Sequence, residues 1–406
     1  MCKTTDFFRQ VDKKAIVLYY IQAVLMVILR FAHVIYMSED ISMTIDQKLE
    51  QASRAFRIEG EYLGHDLIQV GNVNKTYQVN FRLPNGMRKS YLLQNVNTYV
   101  FKHPVEVMEN IGKVTEHIRA KRPGQVALHF HHTADRKTYF VDGEDFWRMT
   151  NYIPSITYGA VEDVNVVRNA GKAFGEFQGQ LSDFDSNELF ETIPGFHNTR
   201  KRFENLDATV AADPCGKVAE VREELAYLDA VRDLACTLTD LCERGELPLR
   251  VTHNDTKINN VLFDKESGEA LVVIDLDTVM PGLVGHDFGD AIRFAANFVE
   301  EDCPEFEKAG INMDVFRAFT EGFLSVTANT LTQKEIDTLA LSSFVLTVEL
   351  AVRFLDDYIQ GSPYFKTLYP EHNLVRTRCQ IALAKDIQKH LPEMESCVRL
   401  CYQQSI

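Results

Sequence analysis

Apolar residues return along the chain at two different intervals, and each interval predicts a different kind of element. Between residues 67 and 141, short apolar runs are separated by turn-forming residues such as Pro84-Asn85-Gly86, which predicts β-strands joined by turns. In other segments, apolar residues recur every third or fourth position, which predicts amphipathic helices. The predicted helices cover 46–56, 104–119, 161–181 and 218–242, followed by a mostly helical stretch from 313 to 406.

The predicted strands cluster in two parts of the chain. The first set covers 67–70, 79–81, 91–94, 126–131 and 139–141, and the second covers 249–252, 261–263 and 271–274. The stretch 183–205 has no clear period, and we expect it to be irregular. A strand-rich part therefore precedes a larger, mostly helical part, which is an α+β arrangement in two lobes.

The second set of strands encloses the most informative polar stretch, HNDTKINN from His253 to Asn260. Asp255 is followed by Lys257 and Asn260 and then, after a strand–turn–strand pattern, by Asp275. Phosphoryl transfer needs such a set: one carboxylate accepts the proton of a hydroxyl, a lysine offsets phosphate charge, and an amide and a second carboxylate hold Mg²⁺. The predicted hairpin returns Asp275 to the side of Asn260, so that both offer oxygen ligands to one hard cation.

The alternative for this stretch is a polar loop beside a buried strand, with acids that are merely solvated. A lone His-x-Asp pattern would be weak evidence for a catalytic loop. Here, however, five residues fall at kinase-like spacing: His253, Asp255, Lys257, Asn260 and Asp275. We therefore favour a catalytic loop.

This stretch resembles the aminoglycoside phosphotransferase and choline kinase family of small-molecule kinases. The strings HNDTKINNVLFD, IDLDTVMPG and DFGD are most similar to the N-acetylhexosamine 1-kinases, and the resemblance extends from about Asp46 into the C-terminal region. It implies a two-lobed protein-kinase-like fold, with a small β-rich nucleotide-binding lobe over 43–150 and a larger, mostly helical catalytic and substrate lobe over 151–406. It also implies phosphorylation of the anomeric hydroxyl of an N-acetylhexosamine, with ATP and Mg²⁺ as cofactors and the sugar 1-phosphate as product.

The resemblance implies roles for residues in both lobes. Asp255 would orient and deprotonate the sugar hydroxyl, and Lys257 would face the γ-phosphate. Asn260 and Asp275 would hold the metal, with help from Asp277. The residues implied in nucleotide binding are Gly71, Asn72, Asn74, Gln94 and Asn151, and those implied in sugar binding are Thr278, Arg353 and Tyr364. Choline, an aminoglycoside or another sugar remain alternative acceptors.

One departure from the family pattern concerns the small lobe. Most kinases carry a phosphate-clamping lysine on the third strand, and Gln94 stands at the corresponding place here. The residue that supplies the cation stays open among Lys75, Arg88 and Lys89, and Glu106 and Glu109 are candidate partners for it, although such helix glutamates usually face solvent. A catalytically inactive nucleotide-binding relative is therefore the rival from another functional class.

Three further residues have two interpretations each. Asp287 begins the kinase-like string Asp-Phe-Gly, but the resemblance implies a structural aspartate at a helix start that bonds the catalytic-loop backbone. His253 is expected to stabilise the loop rather than act as a base. Arg353, which the resemblance implies in sugar binding, alternatively forms a salt bridge with Asp356 or Asp357.

Charge and cysteine content narrow the class of protein. The net charge of −15 argues against a nucleic-acid-binding surface, which would need basic patches. Eight cysteines without Cys-x-x-Cys pairs argue against a zinc site or a disulfide framework and favour a reducing, cytoplasmic location. The oligomeric state is left open.

The N-terminal extension, residues 1–42, contains an apolar run from Ala15 to Leu29 that continues with interruptions to Met37. Fifteen residues are short for a membrane span, which needs about 20. A signal anchor with basic residues before it would carry the following domain away from cytosolic ATP. We therefore favour a dispensable extension or a native start near Met37 or Met43, and leave membrane association through 15–37 open.

Overall fold

The computed structural model describes residues 43–68, 73–159 and 163–406. The predictions for Gly71, Asn72 and the apolar run 15–37 lie outside these residues. The small lobe begins with helix α1 (Ile45–Ala55), which starts with a reciprocal capping box between Thr44 and Gln47. Five antiparallel strands follow in the spatial order β1-β2-β3-β5-β4: β1 (Glu61–Ile68), β2 (Lys75–Arg82), β3 (Arg88–Asn95), β4 (Phe140–Asp142) and β5 (Asp145–Asn151).

The two faces of this sheet have different neighbours. Alternate residues along a strand point to opposite faces. One face packs Val79, Leu93 and Met149 against Leu49 and other apolar residues of α1. The opposite face carries polar side chains that point toward the large lobe. One face of the sheet is therefore apolar, and we call the other face the polar underside.

The large lobe is a helical assembly around one extended core. Its helices are α3 (Val164–Gln180), α4 (Thr199–Ala212), α5 (Arg222–Ala235), α6 (Thr237–Glu243), α7 (Val284–Ala295), α8 (Met313–Thr327), α9 (Gln333–Ile359) and α10 (His372–Ser405). Helix α2 (Pro104–Lys121) precedes β4 in the chain, yet its Ile111 and Val114 belong to the same buried cluster as Phe288 of α7. Helix α2 therefore connects the polar underside of the small lobe to the core of the large lobe.

Two short two-stranded sheets between α6 and α7 carry the candidate site. Strand β6 (Arg250–Thr252) pairs with β9 (Met280–Gly282), and β7 (Val261–Phe263) pairs with β8 (Ala270–Val273), all antiparallel. The polar stretch predicted to be catalytic joins β6 to β7. Both ends of that stretch are therefore fixed by strand pairing.

Helix α9 lies at the centre of the large lobe. Among the described residues it is long and apolar enough, by length and composition, to cross a membrane, but 89% of its most apolar window is buried within the protein. Its apolar composition is explained by contacts with α7, α4 and α10 on several sides.

Several predicted elements differ from the observed ones. The expected strand at 126–131 is reduced to a single bridge between Phe130 and Thr150. The stretch expected to be irregular contains the first turns of α4, which Asn198 caps through Lys201. The single helix predicted over 218–242 is broken at Cys236 into α5 and α6. Residues 147–151, for which no strand was predicted, belong to β5.

The close approach of α7 and α9 depends on Gly289. A Cβ atom at this position would lie 2.3 Å from the backbone oxygen of Ser342, which cannot move without shifting α9. We expect Gly289→Ala to lower the free energy of unfolding by about 1–3 kcal/mol, as overpacking does. Urea denaturation is the measurement, and Gly112→Ala in α2 is the matched control, because a Cβ there meets no atom within 4 Å. Equal effects of the two substitutions would contradict this account.

Candidate active site

The loop between β6 and β7 carries the predicted proton acceptor, Asp255. Its Oδ1 lies 2.9 Å from the Nζ of Lys257. Burial alone would raise the pKa of Asp255, but the ammonium of Lys257 outweighs it and holds that pKa below its usual range. The same pairing raises the pKa of Lys257. Asp255 is therefore a carboxylate at neutral pH, and Lys257 carries its positive charge next to it.

Asn260 closes the loop onto Asp255. Its side-chain nitrogen donates to the backbone oxygen of Asp255 at 2.8 Å and to Oδ2 at 3.3 Å. The backbone oxygen of Asn260 accepts from the nitrogen of Ile274 at 2.9 Å, and Val261 pairs with Val273. The hairpin therefore brings Asp275 beside Asn260, and the predicted proximity is confirmed.

Asp275 has an unusual backbone and an unusual carboxylate. Its φ of +61° is in the left-handed region, which non-glycine residues seldom adopt and which is common at functional sites. Enclosure by protein, followed by the negative charges of Asp277 and Asp255, raises the pKa of Asp275 to about 6. More than a third of the residue nevertheless stays accessible, so a cation can reach this carboxylate from the cleft.

Asp287 anchors the catalytic loop from the first turn of α7. Its two carboxylate oxygens accept from the backbone nitrogens of His253, at 2.9 Å, and Asn254, at 2.7 Å, and Gln178 donates to one of them at 2.6 Å. The predicted structural role is confirmed. Within the Asp-Phe-Gly string, Asp287 holds the catalytic loop. Gly289, the last residue of the string, allows α7 to approach α9.

His253 also stabilises the loop, as expected. Its side chain is completely buried, and Nε2 lies 2.8 Å from the backbone oxygen of Ile274 next to Asp275. Its Nδ1 accepts from the backbone nitrogen of Asp255 at 3.3 Å. Thr278, predicted to bind substrate, donates through its hydroxyl to the backbone oxygen of His253 at 2.6 Å.

A buried ion pair between the lobes was not predicted. Arg148 of β5 forms a two-pronged salt bridge with Asp277, and each side chain is only 3% exposed. The Nε of Arg148 donates to Gln94 at 2.9 Å, and Asn74 donates to Asp277 at 2.6 Å. Asp277 therefore links β5, through Arg148, and Asn74, which directly precedes β2, to the loop that carries Asp275. Its predicted help with the metal stays a prediction.

The ion pair bears on which cation replaces the lysine that most kinases carry at the position of Gln94. Arg88 and Lys89 lie at the opposite end of β3 from Gln94, about 20 Å away at the rise of a strand. Lys75 is exposed and pairs with Asn95. Among the described residues, neither predicted glutamate of α2 pairs with Arg148: Glu106 is partly buried and lies 3.9 Å from His103, and Glu109 is exposed. The charge closest to Gln94 comes from Arg148 on the paired strand.

Sequence alone gave little sign of Arg148. An arginine inside the apolar pattern FWRMTN is the available signal, because a buried charge needs a partner. Asn151, predicted to bind the nucleotide, uses its side chain elsewhere: its oxygen accepts from the nitrogen of His129 at 2.9 Å, and its nitrogen donates to Ala127 at 3.4 Å. Its role in nucleotide binding stays a prediction.

Arg353 of α9 and Tyr364, in the segment after that helix, both contact the ring of Phe365. The guanidinium of Arg353 lies 5.1 Å from the centre of the Phe196 ring and 5.6 Å from that of Phe365. Tyr364 contacts Phe365 and is 65% exposed. Among the described residues, Arg353 forms no salt bridge with Asp356 or Asp357; Asp357 instead accepts from the backbone nitrogens of Tyr364 and Phe365.

Comparison with known protein families identifies the family of this chain. Residues 67–319, more than half of the chain, match the model of the phosphotransferase enzyme family, APH. The chain belongs to this family.

Several solved structures have a similar fold. An aminoglycoside phosphotransferase from Alicyclobacillus acidocaldarius has a TM-score of 0.58 at 12% identity, with 86% of this chain and 96% of that chain covered. A spectinomycin phosphotransferase in complex with ADP and spectinomycin gives 0.52 at 14% identity, with 85% and 98% covered. Choline kinase from Cryptosporidium parvum gives 0.51 at 13% identity, with 85% and 96% covered. The fold of this phosphotransferase is therefore protein-kinase-like, as expected, and the protein is a small-molecule kinase.

Proposed function

We propose that this phosphotransferase transfers the γ-phosphoryl group of ATP to the anomeric hydroxyl of an N-acetylhexosamine and releases the sugar 1-phosphate. The pairing of Asp255 with Lys257 and Asn260 supports the phosphoryl-transfer half of this proposal. Asp255 is ionised and its side chain is partly accessible, so it can accept a hydroxyl proton. Lys257 faces the incoming phosphoryl group and offsets its negative charge.

A divalent cation fits the donor set of the cleft. Asn260 offers an amide oxygen and Asp275 a carboxylate, which are the hard ligands that Mg²⁺ prefers. Enclosure and then the negative charges of Asp277 and Asp255 raise the pKa of Asp275, and a bound cation would stabilise its charged form. When bound with the nucleotide, Mg²⁺ neutralises charge on the phosphate oxygens.

The polar underside of the small lobe suits a nucleotide. Asn74 is held by Asp277 and by the backbone nitrogen of Asn97, so it is positioned before any ligand arrives. Arg148 supplies positive charge beside Gln94, where most kinases use a lysine. We propose that this set, together with Gly71 and Asn72, binds ATP. The unpaired cysteines of the described residues and the use of ATP favour a cytoplasmic location.

The acceptor specificity rests on Arg353. Among the described residues it has no carboxylate within 4.0 Å, and its guanidinium lies between two aromatic rings. Arginine donates hydrogen bonds and cannot accept them, so it suits hydroxyl and acetamido oxygens. A cationic acceptor such as choline or an aminoglycoside would be repelled by it. This observation, together with the resemblance to N-acetylhexosamine 1-kinases, favours a neutral sugar.

We expect Arg353→Gln to raise the KM for the sugar at least tenfold, which is the loss of about one charge-assisted hydrogen bond, and to leave the KM for ATP unchanged. A panel of N-acetylhexosamines, other sugars, choline, ethanolamine and an aminoglycoside, with ADP release as the readout, tests the acceptor itself. Strongest turnover on an amine would contradict the proposed acceptor. An unchanged KM for the sugar would remove Arg353 from the binding site.

The affinity for the divalent cation is expected to depend on pH. Because the pKa of Asp275 is raised to about 6, protons compete with the cation below this pH, and the carboxylate is free above it. We expect the Mg²⁺ concentration for half-maximal activity to rise as pH falls from about 7.5 to 5.5, by at most tenfold per pH unit. Asp255 stays ionised over this range because its pKa is lowered. Mn²⁺ binding without nucleotide, compared with Asp275→Asn, separates this effect from protonation of ATP, and a pH-independent affinity would contradict it.

A further inference from the structure

A buried acid–base pair lies directly behind the catalytic loop, outside the residues used above. His197, just before α4, places Nδ1 2.8 Å from Oε1 of Glu349 on α9. The second oxygen of Glu349 accepts from the hydroxyl of Thr199 at 2.8 Å. Glu349 and Thr199 are fully buried, and His197 is 8% exposed. A charged pair in such a place costs desolvation energy, so it needs an explanation beyond stability.

The pair ends on the residue before the proton acceptor. Nε2 of His197 lies 3.2 Å from the backbone oxygen of Asn254. A carbonyl oxygen and a carboxylate both accept hydrogen bonds, so each ring nitrogen of His197 faces an acceptor. The carbonyl that it holds belongs to the peptide unit that leads into Asp255.

Asn254 has a backbone that must be held. Its φ of +64° is in the left-handed region. Asp287 accepts from its nitrogen, and its side chain donates to the backbone oxygen of Thr278 at 2.9 Å. The carbonyl oxygen is the remaining group, and His197 is its partner. Rotation of this peptide would turn Asp255 away from Asn260 and Lys257.

The other end of the pair lies close to the acceptor side of the cleft. Arg353 follows Glu349 by four residues on α9, which is one helical turn. Arg202 of α4 is also near, since the charges of Arg202 and Arg353 both act on Glu349. Burial would raise the pKa of Glu349, but His197 and the two arginines outweigh it and lower that pKa to about 2. The buried carboxylate of Glu349 thus contacts the histidine behind the base and lies one helical turn from Arg353, whose guanidinium lies 5.1 Å from the centre of the Phe196 ring next to His197.

We propose that His197 and Glu349 are positioning residues that fix the Asn254–Asp255 peptide and couple it to Arg353, so that the base is aligned with an acceptor held on α9. This proposal rests on the proposed function, because it takes Asp255 as the base and Arg353 as the acceptor contact. It assigns a role in the reaction to the segment Phe196-His197-Asn198 that the chemistry of the cleft does not otherwise use.

The experiment is a double-mutant cycle with His197→Gln, Glu349→Gln and the double variant, with kcat normalised to folded protein. Each single variant is expected to lower kcat by about 10- to 100-fold, the usual penalty for misplacing a reacting group by about 1 Å, with the KM for ATP unchanged. The double variant is expected to be no worse than the slower single variant, because both act through one unit. Glu224→Gln is the matched control: it removes another buried helix–helix partner, that of Arg378 at 2.7 Å, and is expected to leave kcat unchanged.

Two outcomes would overturn the proposal: an unchanged kcat in the folded Glu349→Gln variant, or losses that multiply in the double variant. If the glutamine variants do not fold, Thr199→Val removes only one hydrogen bond to Glu349 and is expected to lower kcat by a smaller factor with the same unchanged KM for ATP; an unchanged kcat then overturns it. Hydrolysis of ATP without acceptor is measured in parallel. Absence of turnover by the wild type on every sugar would contradict the proposed function alone, because the hydrolysis rates of the same variants still test the positioning pair.

Discussion

Asp255→Asn is expected to lower kcat by about 10²- to 10⁴-fold, the range that a general base contributes. The amide has the shape of the carboxylate but cannot take a hydroxyl proton. Lys257 also loses the charge that lies 2.9 Å from its Nζ. Because the catalytic loop is held through Asp287 and His253 rather than through the Asp255 side chain, the fold should not change.

Steady-state kinetics with circular dichroism on the same samples is the measurement. Asp264→Asn is the matched control, since Asp264 lies at the outer end of the same hairpin and its carboxylate is seen to accept from Glu266 and Ser267 of its own turn. A kcat for Asp255→Asn within a small factor of the wild type would remove this residue from the mechanism.

Arg148→Met is expected to have the largest effect on stability, about 3–5 kcal/mol, the cost of leaving one partner of a buried ion pair without the other. Arg148 and Asp277 are almost completely buried, so water cannot replace the lost contacts. Gln94 and Asp277 would each lose a donor at the junction of the two lobes. The nucleotide side of the cleft should loosen together with the fold.

Urea denaturation tests this expectation. Arg148→Met combined with Asp277→Asn should recover most of the lost free energy of unfolding, because no buried charge is left unpaired. Arg148→Lys should lie between the wild type and Arg148→Met, since it keeps the charge and loses the two-pronged contact. Equal losses for the single and the double variant would show that the cost comes from lost volume rather than from the unpaired charge.

The part of the site that could be predicted is the part encoded locally. Asn260 and Asp275 are fifteen positions apart and joined by one hairpin, so strand patterns and turn residues were enough to bring them together. Arg148 and Asp277 are separated by 129 positions, and His197 and Glu349 by 152. A periodic sequence pattern cannot reveal contacts between residues so far apart in the chain. The candidates for the cation beside Gln94 were therefore residues near it in the sequence.

The errors in the fold have the same origin. Helix α4 buries few side chains, Phe203 and Leu206 among them, so its apolar period is weak and only the cap at Asn198 marks its start. Helices α5 and α6 share one apolar period, yet Leu228 packs in the main core and Leu241 in a separate small cluster. The apolar period shows which residues are buried but not which residues they pack against. It therefore did not predict the break at Cys236.

The product of the reaction tests the central claim most directly. The protein should be incubated with ATP, Mg²⁺ and an N-acetylhexosamine, and the position of the new phosphate should be determined by phosphorus and proton NMR. We predict a phosphate coupled to the anomeric proton, formed by the wild type and not by Asp255→Asn. A phosphate on another hydroxyl, or phosphorylation of choline, ethanolamine or an aminoglycoside in preference to every sugar, would contradict the account.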